Sequence, residues 1–354
     1  MDKDIYEKLR ESIDKYSVGF NATKSGIEMK ILKKVFTQDE AHIYINLTQK
    51  LETAAVIADR AGRDADETAS LLESMSRKGV TFPIKKNDKK YYAAAPFMHG
   101  FFENQAVSGM DRELAEMYEE YIRDGFFPKA AGLRAVPVNI SINNGGLVLP
   151  YDDIKDIINS KTRIGVMKCA CAAKKKVLET GCKKPDEVCI AFDFYAEYGI
   201  EGYGAGRWIT RDEALKILEE TEKAGLVHQV GGSSGNIECI CNCCPDCCVG
   251  LAIYKKFPQP AKVAGSNYFA SVEPGECTGC ENCIGRCPME AITASEGTVS
   301  INLDRCIGCG LCAGECPAEA ITLHKKPENE IRGPLPPDRY RFMRSSLDFQ
   351  KDIE

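Results

Sequence analysis

Eight of the 18 cysteines form two copies of one phrase, Cys277-x-x-Cys280-x-x-Cys283-x-x-x-Cys287-Pro288 and Cys306-x-x-Cys309-x-x-Cys312-x-x-x-Cys316-Pro317. Every cysteine of the second copy stands 29 positions after its counterpart. The repeat runs past the thiols, because Pro288-Met-Glu-Ala-Ile-Thr293 is echoed by Pro317-Ala-Glu-Ala-Ile-Thr322. A duplicated half-domain accounts for both observations. Thiolates crowded this tightly can share cubane clusters of iron and sulfide, which accept single electrons.

With this spacing and both prolines, the chain resembles the bacterial-type dicluster ferredoxins over roughly residues 268–326. The resemblance implies two [4Fe-4S] clusters with crossed ligation. Cys277, Cys280, Cys283 and Cys316 would hold one, and Cys306, Cys309, Cys312 and Cys287 the other. The tight loop wraps three corners of one cubane, and the fourth cysteine, on a helix expected to begin near Pro288 or Pro317, points the other way. Gly279, Gly285, Gly308 and Gly310 suit loops that need positive backbone dihedrals and close approach of N–H groups to sulfide. A pair of four-cysteine zinc sites is the alternative. Two complete copies with both prolines weigh against it.

At 354 residues the chain has room for two or three domains. No stretch approaches the roughly 18 uninterrupted apolar residues of a membrane span, and the first residues lack the apolar core of a secretory signal. A cytoplasmic protein is expected. Thiols kept for metal fit a reducing compartment, and oxygen-labile clusters fit an anaerobe. The formal charge of −6 falls to about −10 once ligated thiolates and oxidised cluster cores are counted. Such an acidic body is a poor general binder of nucleic acid.

Ten further cysteines lie upstream: Cys169, Cys171, Cys182 and Cys189, then Cys239, Cys241, Cys243, Cys244, Cys247 and Cys248. Unligated, the second group would set reactive vicinal thiols side by side, each open to oxidation. Metal is expected there. A strand over 163–167 should run into Cys169, and a second apolar run over 188–194 carries Cys189. A helix capped by Thr210 and Glu213 should end at Gly225. A hairpin over 226–240 would then return the dense cysteines toward Cys169 and Cys171.

Residues 136–250 also resemble the middle region of uncharacterised iron–sulfur proteins of anaerobic bacteria and archaea that end in a dicluster ferredoxin. The matching residues are Cys169, Cys171, Cys182, Pro185, Cys189, Gly206, Arg207, Gly225, Leu226, Val227, His228 and Cys239 to Cys248. That likeness supplies no reaction. One or two further [4Fe-4S] clusters are the favoured occupants, with structural zinc as the alternative. Several groupings of four satisfy the spacing equally. Arg207, after a glycine-rich run, reads as a surface arginine paired with a carboxylate, the rival being a cation beside an anionic site. His228 reads as a satisfied core histidine rather than a ligand.

Residues 37–100 show a helix, helix, hairpin order that resembles a winged-helix domain. Thr37 and Glu40 open one helix, Leu51 to Arg60 form a second, and a third runs from Asp64 to Gly79. Segments 80–84 and 91–95 then pair around the basic tip Lys85-Lys-Asn-Asp-Lys-Lys90. The fold suggests DNA binding, but the helix that would enter the groove carries a net charge of −2, where phosphates demand the reverse. Protein docking or dimerisation is the better expectation. A helix with Leu114, Met117, Tyr118 and Tyr121 on one stripe should pack this region onto the middle domain. For Phe126, Phe127 and the earlier pair Phe101 and Phe102 a partner surface is the alternative, with a buried stripe the commoner explanation.

The reading is an α+β multidomain protein: a helical segment plus winged-helix-like domain over 1–100, a helical connector over 101–135, a cysteine-rich α/β metal-binding domain over 136–262, a dicluster ferredoxin domain over 263–326, and a tail over 327–354. It would relay low-potential electrons to or from a partner oxidoreductase, with a homo-oligomer as a further possibility. The alternatives are a reductase with a substrate-binding cluster in the middle domain and a redox-responsive winged-helix DNA-binding regulator. No nucleotide-binding fingerprint occurs, so flavin or nicotinamide would belong to a partner.

Overall fold

The computed structural model describes residues 4–16, 19–125, 133–137, 153–233 and 236–332. Phe126, Phe127 and most of the tail lie outside them. Helix and sheet are mixed throughout.

The chain opens with α1 (Ile5–Ile13), α2 (Ile27–Val35) and α3 (Gln38–Ile45). A complete capping box starts α3, with Thr37 accepting from the Glu40 backbone N–H and Glu40 from that of Thr37. Next come α4 (Ala54–Ala61) and α5 (Ala65–Arg77), the latter capped by the Asp64 carboxylate. Leu51, expected inside the second helix, lies before it, beside an isolated bridge between Glu52 and Tyr92. Pairing with the hairpin holds this stretch extended, so α4 begins only after Thr53.

Strands β1 (Thr81–Lys86) and β2 (Lys89–Ala94) form that hairpin around Asn87 and Asp88, both with positive φ. Helices α6 (Phe102–Ser108) and α7 (Arg112–Glu120) close the amino-terminal body. Its core is aromatic, with Phe20, Phe36, Tyr44, Phe97, Phe101 and Tyr118 buried together.

The middle of the molecule is a six-stranded antiparallel sheet in the order β3-β7-β8-β5-β4-β6. In chain order its elements are β3 (Arg134–Ala135), α8 (Ile154–Asn159), β4 (Ile164–Lys168), α9 (Ala170–Val177), β5 (Glu187–Phe192), α10 (Asp193–Glu197), β6 (Gly206–Ile209), α11 (Arg211–Lys223), β7 (Val227–Ser233) and β8 (Asn236–Cys243). Period-two alternation divides its residues between the two faces. Ile164, Ile190, Val230 and Ile240 pack with Ile157 of α8 and Leu218 of α11. Cys189, Ala191, Cys239 and Cys241 belong to the other face, where Phe82 and Ile84 of β1 join the core. The amino-terminal body thus covers the cysteine-bearing side.

After α12 (Val249–Lys256) and α13 (Pro260–Val263) comes a small unit with β9 (Tyr268–Val272), α14 (Asn282–Arg286), β10 (Ile292–Ser295), β11 (Thr298–Ile301), α15 (Leu311–Gly314) and β12 (Ile321–Lys325). β9 pairs with β12 and β10 with β11, all antiparallel. The sequence repeat is a backbone repeat as well. Gly279 and Gly308, Glu281 and Gly310, and Glu290 and Glu319 all take positive φ at matching positions. Gly285, by contrast, does not.

The short helices precede Pro288 and Pro317 instead of beginning at them, so Cys283 and Cys312 lie within helices and Cys287 and Cys316 just past their ends. A residue before proline is driven out of helical geometry, and Cys287 is extended at φ −77°, ψ 112°.

Candidate metal centres

In the carboxyl-terminal unit the loops bring the eight cysteines into two groups of four. The charges that act on the Cys283 thiol are those of Cys316, Cys280 and Cys277, while Cys312 feels Cys309, Cys306 and Cys287. Each group takes three cysteines from one loop and the fourth from the other. Backbone N–H groups turn toward the sulfurs, Ala270 donating to Cys306 Sγ at 3.4 Å and Ala291 to Cys287 Sγ at 3.2 Å. Such bonds stabilise thiolates and tune the potential of anything they bind. The groups differ in depth. Cys280 is exposed, whereas Cys309 and Cys312 are buried, and burial pushes the Cys309 thiol up to about 12. Metal binding would release that proton.

The ten middle cysteines separate into three and seven. Cys182, Cys244 and Cys247 form a compact trio, with Cys182 Sγ 3.5 Å from Cys244 and 3.7 Å from Cys247. The other seven run as a chain of neighbouring sulfurs. Cys171 takes S–H hydrogen bonds from Cys169 and Cys248 and is held well below the usual thiol range. Cys241 takes them from Cys189, Cys239 and Cys243, with the same result. Cys243 and Cys248 link the two sets, and the buried Gln229 amide donates to Cys243 Sγ at 3.0 Å.

Local structure explains the convergence. Cys239, Cys241 and Cys243 alternate along β8 and so share a face, and register sets Cys189 of β5 opposite Cys241. Cys169 and Cys248 are the N-cap residues of α9 and α12, so two helix N-termini face the same space. First-turn N–H groups of Ala172, Val249 and Leu251 donate to Cys169, Cys171 and Cys248, and with the helix dipoles they favour thiolate there.

All of these seven except Cys239 line part of a cavity of about 160 Å³. Its other walls carry His99, Phe102, Glu103, Tyr195, Tyr198 and Tyr254. Burial raises the Glu103 carboxyl to about 8 although the Gly100 backbone N–H donates to it at 3.0 Å. Burial lowers His99 to about 4. Sequence reasoning missed both residues, since neither belongs to a spaced motif. A lone histidine between Met98 and Gly100 carries no signal until the fold brings it to β8.

Two other residues have plain roles. His228 is wholly buried on β7, its ring held between Asn242 Oδ1 at 2.5 Å and Glu222 Oε1 at 3.1 Å. Arg207 on β6 pairs with Glu187 at 3.1 Å and Glu213 at 2.7 Å on the surface.

Residues 270–328 match the family model described as a 4Fe-4S dicluster domain. The chain therefore carries a ferredoxin-type iron–sulfur domain at this end. No curated protein and no solved structure matches the chain. Among the described residues no helix is long and apolar enough to cross a membrane.

Proposed function

We propose that this protein is an electron-transfer protein in which the ferredoxin-type domain connects an external redox partner to an iron–sulfur centre in the cysteine-lined cavity. Cys277, Cys280, Cys283 and Cys316 would hold the outer [4Fe-4S] cluster, and Cys306, Cys309, Cys312 and Cys287 the inner one. The cavity cysteines would hold at least one more cluster. When bound, such clusters take up and release single electrons at potentials set by their surroundings.

One observation carries the reading: the inner cysteines and the cavity cysteines share a single apolar core. Cys309 of the ferredoxin unit is buried together with Cys243, Cys248, Leu251 and Tyr254 of the middle domain, and Cys287 packs against the same cluster. Arg286 fixes the junction by donating to the backbone carbonyls of Glu222 and Lys223. Cys280 opens instead to solvent between the exposed Glu276 and Glu281. An acidic rim of this kind steers a partner with a basic face.

A specific observation favours a second reading, reduction of a small substrate in the cavity. Beside the sulfurs the cavity offers aromatic walls and one half-buried carboxyl, Glu103, the features of a largely apolar site with few polar groups. A DNA-binding regulator is less well supported. The apolar face of the hairpin is spent on the middle domain, and Glu73 of α5 is occupied by Lys90 at 2.7 Å.

Anaerobically prepared protein should contain more than the about eight irons of a ferredoxin pair. A protein donor should reduce the middle centre rapidly in the wild type and slowly in Cys309→Ser. A content of about eight irons, or an unchanged rate in the variant, would end the relay reading.

A further inference from the structure

The cavity wall facing β8 is not made of cysteine. It comes from the amino-terminal body, where the chain kinks sharply between β2 and α6. At the kink His99 takes φ 53°, ψ 47°, a left-handed conformation that few residues with a side chain adopt. Strain of this kind persists only where surrounding packing fixes it, and it clusters at ligand sites.

The packing is specific. A ring nitrogen of His99 and the Sγ atoms of Cys239 and Cys241 all lie within 4.8 Å of one another. Tyr195 stacks beside the imidazole, with ring centroids 6.0 Å apart. Gly231 of β7, the register partner of Cys239, leaves the corner open. A Cβ there would stand 2.9 Å from Cys239 Sγ and 3.7 Å from His99 Cε1. Any side chain at this position would crowd the Cys239 donor, while His99 stays at ordinary contact distance.

We infer that His99 is a metal ligand and forms, with Cys239 and Cys241, a mixed imidazole–thiolate corner of the iron–sulfur centre in the cavity. The inference rests on the iron reading of that cavity. Borderline imidazole and soft thiolate both suit iron. Replacing an anionic thiolate by a neutral imidazole makes a cluster easier to reduce. Such a centre would sit above the ferredoxin pair in potential and draw electrons inward. It would also tie the amino-terminal body to the sheet, because the ligands come from segments that meet only in the folded chain.

The test is pulsed EPR of the reduced full-length protein grown with ¹⁵N-histidine. The middle centre should show one strongly coupled nitrogen that changes with the label. His99→Gly, which suits the left-handed backbone, should abolish the coupling, and added imidazole should restore it. Gly231→Ala keeps the histidine and should weaken the coupling. His99→Cys should lower the midpoint potential of this centre and leave those of the ferredoxin clusters in place. A middle centre that forms without a histidine-dependent coupling overturns the inference and leaves the relay standing. Zinc at this corner, or no iron beyond the ferredoxin pair, overturns both.

Discussion

Phe82 of the β1–β2 hairpin lies flat on Tyr198 of the middle domain, with ring centroids 3.5 Å apart and planes within 4°. Phe194 also stacks on Phe82, at 6.0 Å, and Tyr203 donates its hydroxyl hydrogen to the Thr81 carbonyl oxygen. The hairpin is therefore a clasp between two bodies. Its apolar side is no more available to DNA than a core residue would be.

Phe82→Ala should accordingly behave as a core truncation, costing about 3–5 kcal/mol, far more than a change on an exposed wing. Chemical denaturation of the metal-loaded protein measures this, and hydrogen exchange should show β1 and β2 opening together. A loss below about 0.5 kcal/mol would mean that the hairpin is not docked in solution.

The same contrast between local and distant information explains what was legible in the sequence. The two ligand loops of the ferredoxin unit were readable because each is specified by its own spacing, and the repeat recurs in paired left-handed residues such as Gly279 and Gly308. Proline can start a helix or stop one, and the spacing alone does not choose; at Cys287 its restriction on the preceding residue makes it a stop. The division of the ten upstream cysteines into seven and three was hidden. It depends on strand register between Cys189 and Cys241 and on Cys169 and Cys248 capping different helices. His99 had no signal at all, since its partners are 140 and 142 positions away, at Cys239 and Cys241.

Glu40 gives the amino-terminal body a pH dependence. Burial alone would raise its carboxyl, but the Lys78 ammonium at 2.6 Å, the Thr37 backbone N–H at 2.8 Å and the Ser74 hydroxyl at 3.0 Å outweigh it and hold the group below its ordinary 4.5. A depressed carboxyl stabilises the fold above its unfolded value, and that stabilisation is lost as pH falls through the folded value. Glu40→Gln should therefore cost about 1.5–3 kcal/mol at neutral pH. The gap between wild type and variant should narrow below about pH 4.5. Denaturation curves at several pH values would show it, and a gap constant down to about pH 3 would refute the assignment.

Gly308 allows the inner ligand loop to be tested apart from the outer one. Its φ is +62°, and a Cβ there would stand 2.2 Å from the Tyr268 carbonyl oxygen, part of the β9 backbone and unable to yield as a flexible side chain would. Both strain terms act on the loop between Cys306 and Cys309, the residues proposed for the inner cluster, and neither touches Cys277, Cys280 or Cys283. Gly308→Ala should thus lower iron content by about four per chain and remove one of the two ferredoxin EPR signals. The outer signal should survive in full, because its three loop cysteines keep their backbone. The fourth, Cys316, follows α15 at a distance from the altered turn. Loss of both signals together would show that the two half-domains cannot load independently, and retention of both would show that β9 moves aside.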